Sequence, residues 1–151
     1  MGPLLFLIFI NDMPNSNHFF SLLFAYDTTF FKSHSDPQEL FRLTNLELEN
    51  AKIWFQANKL TLNVSKTKYM LFRQQNKTID FQNLKINIGS EVLERIGFDC
   101  PTKSYKFVGH HLDEHVTWEP HISHVHSKLV SANFIINSSK NIIPKNLRIL
   151  L

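Results

Sequence analysis

Dense apolar runs separated by short polar breaks mark the first third of the chain. Residues 3–13 carry an apolar run that follows a proline suited to a first helical turn and stops before Pro14, which predicts a buried helix. Two β-rich runs, 18–25 and 28–32, flank a short polar break, the pattern of an antiparallel hairpin. We therefore expect residues 25–28 to form a hairpin tip.

A long amphipathic helix is predicted from Asp36 to about Asn58. Asp36 suits the N-cap, Pro37 the first helical position, and Glu39 the third position after the cap. The apolar residues fall on one broad face that should pack against a sheet. They are Leu40, Phe41, Leu43, Leu48, Ala51, Trp54 and Phe55. Glu47 projects onto the same face and interrupts it.

The second half of the chain predicts short strands and a further helix. Strands are expected at 68–73 and 106–112, and a hairpin should join 84–88 to 92–96 around Gly89-Ser90. Apolar residues then recur at three and four positions from His121 to about Asn137, which predicts an amphipathic helix. Pro144 would open another. Strands mixed with helices in this way predict an α+β fold.

Composition limits the class of protein without choosing a function. At 151 residues with 14 Phe and 43% hydrophobic content, the chain fits one packed domain and excludes a disordered tail. A net charge of +3, from 16 basic and 13 acidic residues, permits a polyanionic partner without demanding one.

The single cysteine and the short apolar runs indicate a compartment. Cys100 cannot form an intrachain disulfide or a thiolate-rich metal site, which favours the nucleus or cytoplasm over secretion. The run from Leu4 to Ile10 has about a third of the roughly 20 apolar residues that a membrane span needs, so no membrane partner is expected. Oligomeric state is left open.

Four blocks of sequence carry a family resemblance. Residues 22–29 are similar to a Phe-Ala-Asp-Asp-Thr motif in which Tyr26 replaces the first aspartate. Residues 2–14 resemble the segment that precedes that motif, and residues 54–68 resemble the helix end and strand called motif D. Residues 106–122 resemble a primer-grip hairpin leading into a thumb. Together, in this order, they resemble the reverse transcriptases of jockey-like non-LTR retrotransposons.

The resemblance implies a particular part of the polymerase. Residues 1–118 are expected to be the C-terminal part of the palm, with antiparallel strands and packed helices, and residues 119–151 a truncated start of the thumb. Because Met1 stands where the family has interior sequence, the fingers and the first palm aspartate are expected to be missing.

The family copies an RNA template from a DNA primer with two Mg²⁺ ions held by carboxylates. Asp27 is the implied catalytic and metal-binding residue, since a tyrosine does not replace a carboxylate ligand. Losing several kcal/mol of Lewis-acid stabilisation, at about 1.4 kcal/mol per decade, removes at least roughly three orders of magnitude of rate. We therefore expect no polymerase activity. An alternative role for Asp27, which we favour, is that of a turn residue closing the hairpin.

Further residues are implied at the nucleic acid. Lys66 matches the motif D lysine that stands near the triphosphate, and its alternative is a solvated lysine. The implied nucleic-acid contacts are Lys68, Lys106, Phe107 and Gly109. Gly109 would let backbone approach a primer phosphate, or else mark an ordinary kink.

Two groups of side chains are assigned simpler roles. Six of the 8 histidines lie between His110 and His126. On a helix His121 and His124 share a face while His126 points away, so surface histidines are favoured over a zinc site. Trp54 and Trp118 could stack on bases, but their apolar surroundings favour a core.

Two other functions stay open beside an inactive polymerase fragment. The chain could bind RNA or DNA without chemistry through Lys66, Lys68 and Lys106, or it could be a pseudogene product with no function. Salt-dependent nucleic-acid binding separates these two alternatives.

Overall fold

A computed structural model describes residues 2–139, with side chains from Leu4 onward. The elements in chain order are α1 (Gly2–Ile10), β1 (Phe20–Phe24), β2 (Asp27–Phe31), α2 (Pro37–Ala57), β3 (Lys68–Met70), β4 (Asn87–Ile88), β5 (Glu91–Val92), β6 (Glu94–Ile96), β7 (Ser104–Phe107), β8 (His110–Asp113) and α3 (Glu119–Ser139). Strands pair two by two, as β1–β2, β3–β6, β4–β5 and β7–β8. Helices with small sheets confirm the α+β class. The helix expected from Pro144 lies outside the described residues.

The described chain divides into two compact units. The first comprises residues 2–69 and 76–95, and the second comprises residues 70–75 and 96–139. The boundary between palm and thumb, expected between residues 118 and 119, comes from the family resemblance. These two units do not test it, so it stays a prediction.

The core of the first unit lies between α2, α1 and the β1–β2 hairpin. Ile10, Met13, Ala51 and Phe55 are its buried centre. Partly buried apolar side chains surround them: Phe6, Leu23, Phe30, Trp54, Leu60 and Leu62. The apolar face of α2 therefore packs against a sheet, as its periodicity predicts.

The predicted cap of α2 is also confirmed. The Asp36 carboxylate accepts hydrogen bonds from the backbone N–H groups of Gln38 at 3.2 Å and Glu39 at 3.3 Å. These contacts satisfy donors that a helix start leaves unpaired. Asn58 follows as the C-cap, where the pattern places the end of the helix.

The prediction that residues 3–13 form a buried helix is wrong in two respects. The helix ends at Ile10, and most of its described side chains are exposed, including Leu5 at 61% and Ile8 at 66%. The physical reason is that α1 is apolar on every side, whereas α2 and the hairpin cover only the side that carries Phe6 and Ile10.

Glu47, the charged residue on the apolar face of α2, is buried because it anchors the start of the hairpin. Its carboxylate accepts the His18 backbone N–H at 2.9 Å, and the His18 ring lies 3.1 Å away. Burial raises the pKa of Glu47, but the bonds from His18 and Asn50 and the charges of His18 and Lys32 outweigh it. The resulting pKa lies below its usual value.

Two predicted strands are shorter than their sequence patterns. The strand expected over 68–73 ends at Met70. The hairpin around Gly89-Ser90 is confirmed, but only Asn87 and Ile88 pair with β5, since residues 94–96 form β6 and pair with β3 instead. An ion pair of 2.8 Å between Lys68 and Glu94 accompanies this second pairing.

The second unit contains a hairpin, a buried ion pair and α3. The continuous strand expected over 106–112 is wrong, because the chain reverses between β7 and β8. Glu114, only 2% exposed, pairs with Arg73 at 2.6 Å and accepts the Phe98 backbone N–H at 2.9 Å. A helix is confirmed here, beginning at Glu119, but the apolar residues expected to form its packed face are exposed, including Ile122 at 63% and Leu129 at 64%.

Candidate functional site

The tip of the β1–β2 hairpin lies where the sequence predicts it. Phe24 pairs with Asp27, so Ala25 and Tyr26 form a two-residue loop. The φ of Ala25 is +52°, the left-handed value that the first central residue of a type II′ turn adopts. The loop therefore reverses the chain at the position where the resemblance has its acidic pair.

Tyr26 occupies the tip with a packed aromatic ring. Its centroid lies 4.9 Å from that of Phe6 on α1, with the two planes at 51°, while the residue remains 64% exposed. Contacts of this kind stabilise a fixed ring position. A ring held in this way supplies neither the charge nor the oxygen pair of a carboxylate.

Asp27 is the single carboxylate of the hairpin tip. It is exposed at the first position of β2, and its backbone pairs with Phe24. Mg²⁺ takes oxygen ligands in near-octahedral geometry, and two-metal chemistry needs several carboxylates at one point. Residues 2–139 contain no cluster of three or more His, Cys, Asp or Glu side chains that could hold a metal ion. The described tip does not fit a two-metal site.

Lys66 lies at the end of a short 3-10 turn, Val64–Lys66. The Asn63 side chain accepts the Lys66 backbone N–H at 3.3 Å and the Ser65 hydroxyl at 2.8 Å. The Lys66 side chain is exposed, and within the described residues no hydrogen bond or ion pair joins it to Asp27. The turn borders a shallow groove of about 530 Å³, lined by Thr61, Leu62, Asn63, Val64, Ser65 and Glu91.

Lys68, one of the expected nucleic-acid contacts, is already engaged. Its ammonium lies 2.8 Å from a Glu94 carboxylate oxygen, and the lysine side chain is only 27% exposed. Both charges of this pair are accessible to solvent, so the pair contributes little to stability. It nevertheless places a negative group beside the cation that a phosphate would contact.

The β7–β8 hairpin brings the remaining expected contacts together. Lys106 pairs with His111 and Phe107 with His110, which leaves Val108 and Gly109 as the loop. Their φ values of +44° and +87° are both left-handed, as a type I′ turn requires. Apart from Gly109 and its two chain neighbours, no atom of the described residues lies within 4 Å of the position that a Gly109 Cβ would occupy. A phosphate could therefore approach this backbone closely.

Asp113 has a structural role that sequence reasoning missed. One of its carboxylate oxygens accepts the Thr117 backbone N–H at 2.9 Å, and the other accepts the Thr117 hydroxyl at 3.2 Å. Val116, between these two residues, and Trp118, between Thr117 and α3, adopt left-handed φ values of +53° and +64°. Asp113 thus holds the strained turn between the hairpin and α3. An aspartate four residues before a threonine, ahead of a helix, is the available signal.

The histidines of α3 lie against β8. His121 is 5.0 Å from His110 and His124 is 4.6 Å from His111, measured between ring centroids. The shared face of His121 and His124 is confirmed, and both side chains remain partly exposed while they pack on β8. Trp118 is 45% exposed, which overturns its assignment to the core.

No protein-family model, curated protein or solved structure matches this chain. The sequence blocks therefore carry the resemblance to reverse transcriptases by themselves. None of the helices within residues 2–139 is long and apolar enough to cross a membrane.

Proposed function

We propose that the chain is a palm and thumb segment of a non-LTR retrotransposon reverse transcriptase that does not polymerise as it stands. The observation that carries the proposal is the β1–β2 tip, where Tyr26 ends the two-residue loop of a Phe-rich hairpin and Asp27 begins β2. Order along the chain supports it: a helix, this hairpin and a long helix, then a second tight hairpin leading into α3.

The proposed inactivity follows from the ligands at the tip. Mg²⁺ would be held in the family by carboxylates around this hairpin, and here Asp27 provides one while Tyr26 packs on Phe6. A neutral phenol does not stabilise the charge that develops on the transferred phosphoryl group. RNA template and DNA primer are the partners that the resemblance implies, in the nucleus or cytoplasm.

A primer-extension assay on an RNA template tests the proposal. We expect no extension by the unaltered chain or by Tyr26→Asp, because two-metal chemistry also needs a further palm carboxylate and a bound nucleotide. We expect extension once Tyr26→Asp is fused to the fingers and first palm strand of an intact relative. The matched control is the same fusion with Tyr26→Asn, which removes the ring without adding a carboxylate.

The outcomes distinguish a single lesion from a wrong assignment. Extension by the unfused Tyr26→Asp variant would show that Tyr26 is the only defect. A folded fusion that stays inactive with Tyr26→Asp would refute the palm proposal. Loss of the restored activity on adding Asp27→Asn would show that Asp27 acts as a ligand and does more than close the turn.

The exposed surface of the β7–β8 loop favours a second candidate, nucleic-acid binding without chemistry. Lys106 is exposed on β7, and Gly109 offers an open backbone beside it. We expect Lys106→Gln to weaken binding of a primer–template duplex and to lower the salt slope by about one. Lys52→Gln is the matched control, because Lys52 is paired with Glu49 at 2.8 Å. Absence of salt-dependent binding would argue against the nucleic-acid-binding role and would favour the alternative of a pseudogene product with no function.

A further inference from the structure

Two pairs of histidine rings meet between α3 and the β7–β8 hairpin. His110 meets His121 with the ring planes at 44°, and His111 meets His124 at 38°. Trp118, just before α3, lies edge-on to His110 with centroids 6.1 Å apart. The helix therefore rests on two pairs of titratable rings, all in the unit formed by residues 70–75 and 96–139.

Two nitrogens in these pairs are buried without a partner. Within the described residues, His111 Nε2 and His121 Nδ1 have no hydrogen bond. A neutral imidazole can leave one nitrogen as a bare acceptor, whereas an imidazolium carries an N–H on both nitrogens. Protonation would therefore bury a charged N–H without an acceptor, and an unpaired buried charge is costly.

The charges around His124 also oppose protonation, because they lower the pKa of its ring. Burial lowers its pKa below 6.5, and the charges of His111, Lys128, Lys106 and His121 lower it further. Lys106 and His111 belong to the hairpin, whereas His121 and Lys128 belong to α3, so both elements contribute cations. The carboxylate of Asp113, at the end of β8, is engaged by Thr117.

We propose that the contact between α3 and the β7–β8 hairpin is a pH-sensitive joint, closed while the His111–His124 ring pair is neutral and released when that pair takes up a proton. It is independent of polymerase chemistry and of any bound nucleic acid. Its structural basis is the two cross-element ring pairs and their two unpartnered nitrogens.

The direction of the pH dependence follows from linkage. His124 binds its proton less tightly in the closed joint than in the released one, so the released state gains protons first as pH falls. The closed joint keeps its full stability above the ordinary pKa of 6.5 and loses it as pH falls from there toward the lower value of the closed state. Within that window the closing equilibrium should fall by about tenfold per pH unit for each proton taken up.

The chain carries a reporter for this transition. The sequence has 2 tryptophans, so Trp54→Phe leaves Trp118, beside His110, as the single tryptophan and the one residue excited selectively at long wavelength. We expect its emission to change between about pH 7.5 and 5, and α3 amides to lose exchange protection over the same range, after correction for intrinsic exchange. Emission and protection that stay constant across this range would overturn the proposal.

Matched substitutions locate the effect. His111→Phe with His124→Phe keeps two packed rings that cannot take up a proton, so α3 should stay protected at low pH. His126→Phe, on an exposed position of the same helix, should leave the transition unchanged. An unchanged transition in the double variant would overturn the proposal.

A measurement on the unaltered protein covers the case in which the double variant does not fold. Ring-proton NMR should show His124 titrating below its ordinary pKa of 6.5, because burial and the neighbouring cations both lower that pKa. A His124 that titrates above 6.5 would contradict the joint.

Discussion

Buried carboxylates show at the residue scale how this chain joins distant segments. Glu47 on α2 and Glu114 after β8 are 5% and 2% exposed, and each accepts a backbone N–H from another segment, His18 and Phe98 respectively. A charge-assisted bond of this kind is stronger than a neutral one. In each case the carboxylate fixes the position of a backbone segment that is distant in sequence. In the sequence, such an acid is visible only as a charged residue that interrupts an apolar pattern.

Glu47→Gln tests that role at the start of the β1–β2 hairpin. The amide keeps the shape but weakens the acceptor for the His18 N–H, so we expect the free energy of unfolding to fall by about 1–3 kcal/mol at neutral pH. Urea denaturation measures this change. Glu49→Gln, at an exposed and ion-paired position of α2, should cost no more than about 0.5 kcal/mol.

The same substitution has a pH signature. The pKa of Glu47 is held below its ordinary value of 4.5, so its contribution is complete above that value and is lost as pH falls through the lower one. The stabilities of the unaltered protein and Glu47→Gln should therefore converge in acid. A constant difference down to about pH 3 would mean that packing, and not the charge, holds His18.

At the scale of elements, the sequence predicts a feature correctly wherever residues close together along the chain determine it. The Asp36 cap, the α2 face and the β1–β2 tip all follow from spacing within a few residues. The β7–β8 turn did not, because Val108 is β-branched and β-branched residues seldom adopt a positive φ. The left-handed φ values of Val108 and Gly109 reverse the chain there, although the residue types over 106–112 indicate one continuous strand.

That turn allows a paired test of strain. Val108→Asn should raise the free energy of unfolding of the β7–β8 region by about 1 kcal/mol, because asparagine tolerates the left-handed region and suits a type I′ turn before glycine. Gly109→Ala should lower it by about 1 kcal/mol, since φ is +87° at that position. Amide exchange of β7 and β8 measures both. Val108→Ala controls for loss of the branched side chain, and an equal gain from Ala and Asn would contradict the turn assignment.

At the scale of the whole molecule, burial was the least predictable property. The apolar composition of α1 indicates burial, but which sides are covered depends on α2 and the hairpin, which are distant in sequence. The engagement of Lys68 has the same origin, because the pairing of β3 with β6 brings up Glu94. The position of Asp27 at the hairpin tip could be anticipated from local pattern. The 3-10 turn that ends at Lys66 and the hairpin that carries Lys106 could not.

The uncovered apolar side chains of α1 and α3 lead to the last prediction, self-association of the purified protein. On the described surface the largest exposures on these helices belong to Leu4, Leu5, Ile8, Ile122, Leu129, Phe134 and Ile135. Exposed apolar side chains in such numbers promote association. We expect the mass from sedimentation equilibrium to rise with concentration, and Leu5→Gln with Ile8→Gln to reduce that rise without lowering the melting temperature. Ile10→Gln, at a position only 3% exposed, should instead destabilise the fold. A monodisperse monomer with one sharp cooperative melt would show that these side chains, although exposed, do not form an adhesive surface.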